Sequence, residues 1–198
     1  MAVDASLVKE LREKTGAGIL DCRKALEESG SDLDKASVWL REKGLSVAQK
    51  KAGRETNEGL VGAYIHAGGK LGVLVEVNCE TDFVARTDVF QQFVKDVAMQ
   101  IAATAPSYVR REEIPQEVIA AEKSIYAAQA KESGKPQAVW DKIATGRLEK
   151  FYSEVCLMEQ AFVKDSGMTI DSLLKERIAE IKENITIKRF TRYRIGEE

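Results

Sequence analysis

His66 is the only histidine in the chain, so any Ser/His/Asp or Cys/His chemistry would depend on it. It stands beside Ala67, Gly68 and Gly69 with no nucleophile close in sequence, the setting of a surface histidine at a hairpin end. AGGKLG, from Ala67 to Gly72, offers glycines and a lysine. It lacks the G-x-x-x-x-G-K-[ST] spacing and joins two strands, whereas a phosphate loop opens a helix. Cys22, Cys79 and Cys156 are odd in number and far apart, without disulfide or zinc spacing. Each lies in an apolar pattern, as reduced core thiols do. The carboxylates are spread over helix faces with no local cluster suited to a metal ion. The sequence therefore predicts no catalysed covalent step, no cofactor and no metal.

The chemistry left is that of surfaces. In NCETDFVARTDVF, from Asn78 to Phe90, an alternating segment gives way to a helical one, and Thr81, Asp82 and Phe83 fall in the joint. Phe83 is either a core ring tucked under a sheet or an anchor for a partner. Leu20 poses the same choice, because it is turned about 100° from its helix's apolar stripe and follows the glycine-bracketed loop TGAG. Bundle-edge packing and exposure both fit it. The basic end KRFTRYR interleaves charges with aromatics as some RNA binders do, yet outward arginines on an edge strand account for it as well.

Composition narrows the partners. Thirty Lys+Arg against 32 Asp+Glu leave a net charge of −2, which supplies no field for a phosphate backbone, so nucleic acid is not the expected partner. With 44% hydrophobic residues over 198 positions, the chain can bury a real core. It has no run of 18 apolar residues, and MAVDASLVKELREK lacks an apolar stretch of secretory length. A cytoplasmic protein without membrane attachment is expected.

Two segments must position these residues. Over residues 1–55 the pattern predicts a three-helix domain with a connector. Leu7, Val8 and Leu11 share a face before Gly16; Ile19, Cys22, Ala25 and Leu26 form a stripe closed by Gly30; and Asp32 caps a third helix with Ala36, Trp39 and Leu40 inward and Gly44 as its stop. SVAQKKAGRETNEG reads as a helical or partly flexible connector. Residues 56–198 read as an α+β core. GLVGAYIH and KLGVLVEVNCE make a hairpin with Val73, Val75, Val77 and Cys79 inward. Thr87 caps a helix carrying Phe90, Phe93, Val94, Val97 and Ile101. A further helix from Pro115 has the stripe Val118, Ala121, Ile125 and Ala128, and one after Pro136 carries Val139, Trp140 and Ile143. SLLKERIAEIKEN is an amphipathic helix, and NITIKRFTRYRI is a final strand that joins the hairpin in a small antiparallel sheet.

LVKELREKTGAGILDCRKAL, from Leu7 to Leu26, and VEVNCETDFVAR, from Val75 to Arg86, resemble the paired signature of the elongation factor Ts family. The resemblance continues through AMQIAATAPSYV, GKPQAVWDKIATGRLEKFYSEVCLMEQAFVKD and IKENITIKRF, so it covers essentially the whole chain. It implies a ubiquitin-associated-like N-terminal domain followed by an α+β dimerisation core, and a non-enzymatic role as nucleotide-exchange factor for elongation factor Tu. Positions matching Lys9, Arg12, Ile19, Leu20 and Arg23 dock on the partner's nucleotide-binding domain in the family. Positions matching Thr81, Asp82, Phe83 and Val84 displace the magnesium ion that helps hold GDP. On that reading Phe83 is a wedge and Asp82 fixes the helical start from which it projects. The alternative function is a non-catalytic adaptor carrying a ubiquitin-associated-like module.

The chain departs from the family in two ways. Where members commonly have IGENI this sequence has IKENI, with Lys182 in place of glycine. Longer members carry a second copy of the core half and an inserted coiled coil, for which 198 residues leave no room. A short form that pairs as a homodimer through its sheets is the expectation.

Overall fold

A computed structural model describes residues 3–132, 134 and 136–197. In chain order the first helices are α1 (Ala5–Thr15), α2 (Ile19–Glu28) and α3 (Leu33–Lys51), followed by strands β1 (Glu58–Ile65) and β2 (Leu71–Cys79). A single turn, α4 (Asp82–Ala85), precedes α5 (Asp88–Thr104), α6 (Gln116–Glu132) and α7 (Trp140–Val155). The chain ends with β3 (Ala161–Phe162), β4 (Asp165–Thr169), α8 (Ile170–Ile181) and β5 (Ile185–Arg194). The fold is α+β. The strands form a three-stranded sheet in the order β1-β2-β5 and a two-stranded one from β3 and β4. The alternation read in β2 holds, since Val73, Val75, Val77 and Cys79 are all buried.

The chain divides into two compact units, the first comprising Met1–Val61, Glu76–Val94 and Ser172–Ile187. Its N-terminal helices enclose Leu11, Cys22, Ala25, Leu26 and Ala36, with Leu7, Val8, Trp39 and Leu40 packed around them. Gly16 ends α1 with φ 68°, its N–H donating to the Arg12 carbonyl, because a left-handed residue closes a helix at least cost when it has no Cβ. The Asp32 carboxylate caps α3 by accepting from the Asp34 and Lys35 amides, each at 3.0 Å.

Two expectations for these N-terminal helices fail, each for a packing reason. Gly44 does not stop α3, which runs on to Lys51 and takes in the first part of the expected connector. A Cβ on Gly44 would lie 3.3 Å from the Cβ of Ala179, so the glycine is there to let α3 approach α8. That contact outweighs the roughly 1 kcal/mol of helix propensity that a mid-helix glycine forfeits. Ile19 does not join the buried stripe of α2; it is 56% exposed. As the first helical residue after Gly18, it projects beyond the end of the three-helix core.

The second unit comprises Gly62–Val75, Lys95–Asp171 and Lys188–Glu198. In it α6 and α7 pack along each other, and Ile114, Leu148, Tyr152 and Cys156 form a cluster joined by Val118, Ile119 and Tyr126. The stripe expected on α6 is therefore rotated. Val118 is half-buried, but Ala121, Ile125 and Ala128 are exposed. In so alanine-rich a helix two faces are apolar, and the one carrying Ile119 and Tyr126 buries more area. The β3-β4 hairpin was not evident in the sequence. It is antiparallel, pairing Ala161 with Thr169 and Phe162 with Asp165. Gln100, fully buried, anchors it by donating to the Ala161 carbonyl at 3.1 Å and accepting from the Val163 amide at 2.9 Å.

Candidate partner-binding site

The nine residues expected to meet a partner all lie in the first unit, in two places. The first element is the corner between α1 and α2. Lys9 and Arg12, three apart on α1, are exposed, as is Arg23 on α2. Lys9 and Arg23 each pair with a glutamate four residues on, at 3.8 and 3.1 Å, weak surface pairs that leave both side chains accessible. Leu20 is 82% exposed. Of the two readings left open for it, bundle-edge packing is thereby excluded.

The second element is the joint between β2 and α5. Phe83 sits on the single turn α4 and is 79% exposed, while Ala85 two residues on is buried. It is not a core ring. Val84 is half-buried and fixes the other side of the turn. The helical start is set by Thr81, contrary to the expectation for Asp82. Thr81 is extended at φ −130° and ψ 153°, and its hydroxyl accepts from the Val84 amide at 3.4 Å. An N-cap must stand outside the helix to reach those first amides, and Asp82 is already inside it. The Asp82 carboxylate instead accepts from Arg86 at 2.8 Å. Thr87 then caps α5 through the Phe90 amide at 3.3 Å.

Local pattern gave no signal for the groups that hold this joint. The Glu183 carboxylate accepts from the Thr81 hydroxyl at 2.7 Å and from the Thr81 amide at 3.0 Å. In the opposite sense, Glu80 accepts from the Asn184 amide at 2.6 Å and from Arg54 at 3.2 Å. The Asn184 amide and then Arg54 hold the Glu80 carboxyl below its ordinary range. Lys182 sits at φ 66°, a left-handed conformation that explains why glycine serves well there. Its ammonium donates to Asp21 at 3.2 Å, and Lys43 reaches the same carboxylate at 2.6 Å. Glu183 and Asn184 lie more than 100 residues from Thr81, and Asp21 and Lys43 lie on other helices, so no spacing rule could reveal them.

The Cys79 thiol donates to the Thr81 carbonyl at 3.1 Å. Burial, reinforced by the Glu183 charge, pushes its pKa up to about 11, so it stays protonated and keeps that bond at neutral pH. Burial likewise raises Cys156 to about 11. Between the ordinary value of 9.0 and about 11 the folded chain holds these protons while the unfolded chain loses them. Stability from the neutral thiols is therefore complete below pH 9 and falls as pH rises. Melting temperatures measured between pH 8 and 10.5 should drop, and less steeply in Cys79→Ala.

Among the described residues no group of His, Cys, Asp and Glu could hold a metal ion, and no helix is long and apolar enough to cross a membrane. The site consists of an exposed ring on a clamped turn and an exposed leucine among cations. Accessible apolar side chains of this kind are what a docking surface would use.

Comparison with known proteins gives the family. The family described as Elongation factor TS matches residues 23–197. The chain is 59% identical over 197 residues to Elongation factor Ts of Geobacter metallireducens, covering 100% of this chain and 91% of that one. It is 61% identical over 195 residues to the same factor of Anaeromyxobacter sp. (strain K), covering 98% and 89%. Elongation factor Ts of Carboxydothermus hydrogenoformans is 58% identical over 195 residues, covering 98% and 90%. The fold is that of an α+β factor of protein biosynthesis. The chain belongs to the elongation factor Ts family, and its role is in translation elongation.

Proposed function

We propose that this chain is a guanine-nucleotide exchange factor that binds elongation factor Tu·GDP in the cytoplasm, displaces its Mg²⁺ and so promotes GDP release. The observation that carries the reading is Phe83, a large ring 79% exposed on a turn held rigidly by Thr81. Residues 1–55 would act as the docking domain, with Lys9, Arg12, Ile19, Leu20 and Arg23 meeting the partner. Residues 56–198 would form the core that carries Thr81, Asp82, Phe83 and Val84.

Mg²⁺ requires near-ideal octahedral oxygen geometry. A ring pushed against the elements that hold its shell therefore loosens the nucleotide without breaking any bond. Because coupling between two ligands is reciprocal, GDP weakens the factor as much as the factor weakens GDP. Exchange is accelerated both ways, and nucleotide supply sets the direction. Release of labelled GDP from elongation factor Tu, with and without this chain, tests the proposal. The adaptor reading is favoured by one feature, the separate core of the three N-terminal helices, and it requires binding with unchanged release.

A homodimer is part of the same reading. Ile65, Leu74, Tyr193 and Ile195 are 67%, 48%, 73% and 76% exposed on or beside the sheet, an apolar set that a second copy would cover. Sedimentation should give twice the 21.9 kDa of one chain at micromolar concentration, and Ile65→Asp should shift it toward one. A parent chain that sediments as a monomer would remove the dimer from the reading.

A further inference from the structure

Phe83 rides on one helical turn, Asp82–Ala85, and a single turn has little stability of its own. Its direction must be imposed from outside, and Thr81 is where that happens. Each polar group of Thr81 is engaged. Its amide and hydroxyl donate to the two oxygens of Glu183 at 3.0 and 2.7 Å, its carbonyl accepts from Cys79 at 3.1 Å, and its hydroxyl oxygen accepts from Val84.

Glu183 is itself held on both sides. Before it, the Lys182 amide donates to the Ile178 carbonyl at 2.9 Å and its ammonium reaches Asp21. After it, the Asn184 amide donates to Glu80 and its side chain to the Arg54 carbonyl at 2.8 Å. The residue pairs 80–81 and 183–184 thus exchange carboxylate-to-amide bonds, one in each direction. Two charge-assisted bonds from one carboxylate to one residue fix an angle as well as a distance.

We propose that Glu183 is a positioning residue for exchange, aiming Phe83 through its double bond to Thr81; this rests on the wedge reading of Phe83. Without the carboxylate the ring stays exposed but loses its direction. The loss therefore falls on the step after docking.

The test is a double-mutant cycle on the full chain: Glu183→Ala, Phe83→Ala and the double variant, with GDP release from elongation factor Tu followed to saturating factor. Glu183→Ala should lower the plateau rate roughly fivefold with the half-saturating concentration little changed. Glu183→Gln, which keeps one acceptor, should recover part of the loss. In the Phe83→Ala background Glu183→Ala should cost nothing more, whereas a merely stabilising role would act independently of Phe83. Amide exchange at Thr81 and Val84 in the free protein should quicken in Glu183→Ala. If that variant melts below the assay temperature, the cycle is run with Glu183→Gln.

An unchanged plateau in Glu183→Ala alongside a lowered one in Phe83→Ala, or losses that simply multiply, overturns the positioning role and leaves the wedge standing. An unchanged plateau in Phe83→Ala refutes the wedge itself, and the positioning role falls with it even where amide exchange shows Thr81 loosened.

Discussion

Phe83→Ala should leave the melting temperature of the chain nearly unchanged and lower the saturated rate of GDP release by about tenfold, within the range of coupling between two ligands on one protein. The first half of this result follows from burial. A core phenylalanine cut to alanine costs about 3 to 5 kcal/mol, but Phe83 is 79% exposed and its turn is capped and clamped through Thr81, so the change stays within about 0.5 kcal/mol. The second half follows from the proposed chemistry, because alanine cannot reach the elements that hold the ion. Some stimulation should survive, since on the proposed reading docking and Asp82 would still bias the partner. Thermal unfolding and nucleotide release, measured side by side, decide it. A release plateau equal to the parent's would leave the exposed ring without a function.

Leu20→Ala should give the complementary pattern. Leu20 is 82% exposed, so the fold does not register its loss. If it is the apolar anchor of docking, truncation costs on the order of 2 kcal/mol of binding, about thirtyfold in affinity. More factor is then needed for half-maximal release, but the plateau at saturation returns to the parent's value. Its cationic neighbours Arg12 and Arg23 lie at the surface, where charges act on encounter rate and salt dependence more than on affinity. Titration of each variant against elongation factor Tu·GDP separates the effects. A half-maximal concentration unaltered in Leu20→Ala would refute the docking role.

Features set by neighbours in sequence were legible. The cap Asp32, the stop at Gly16, the alternating row of β2 and the cap Thr87 each depend on residues within four positions, and all stand in the structure. Features set by distant packing were not. Gly44 looked like a stop because glycine usually ends a helix, and only the approach of Ala179 reveals its other use. The alanine-rich α6 offered two faces, and nothing local said that Tyr126 would decide between them. For the candidate site, periodicity left Leu20 and Phe83 open between core and surface. The resemblance of their motifs supplied their proposed roles, and burial then showed both side chains accessible. Glu183 and Asn184 stayed invisible because a carboxylate 102 residues from Thr81 carries no pattern.

Those long spans bear on synthesis. The first unit gathers its N-terminal helices, the Phe83 joint and Ser172–Ile187, with bonds across 102, 104, 130 and 161 residues. Local helices close within microseconds, whereas contacts so distant in sequence must wait for the intervening chain, which a ribosome adds at about 5 to 20 residues per second. Leu20 can therefore be displayed on a finished three-helix core many seconds before Glu183 exists to bond Thr81. On the proposed reading, a nascent chain in that interval would already carry its docking surface but not the clamp that aims the ring.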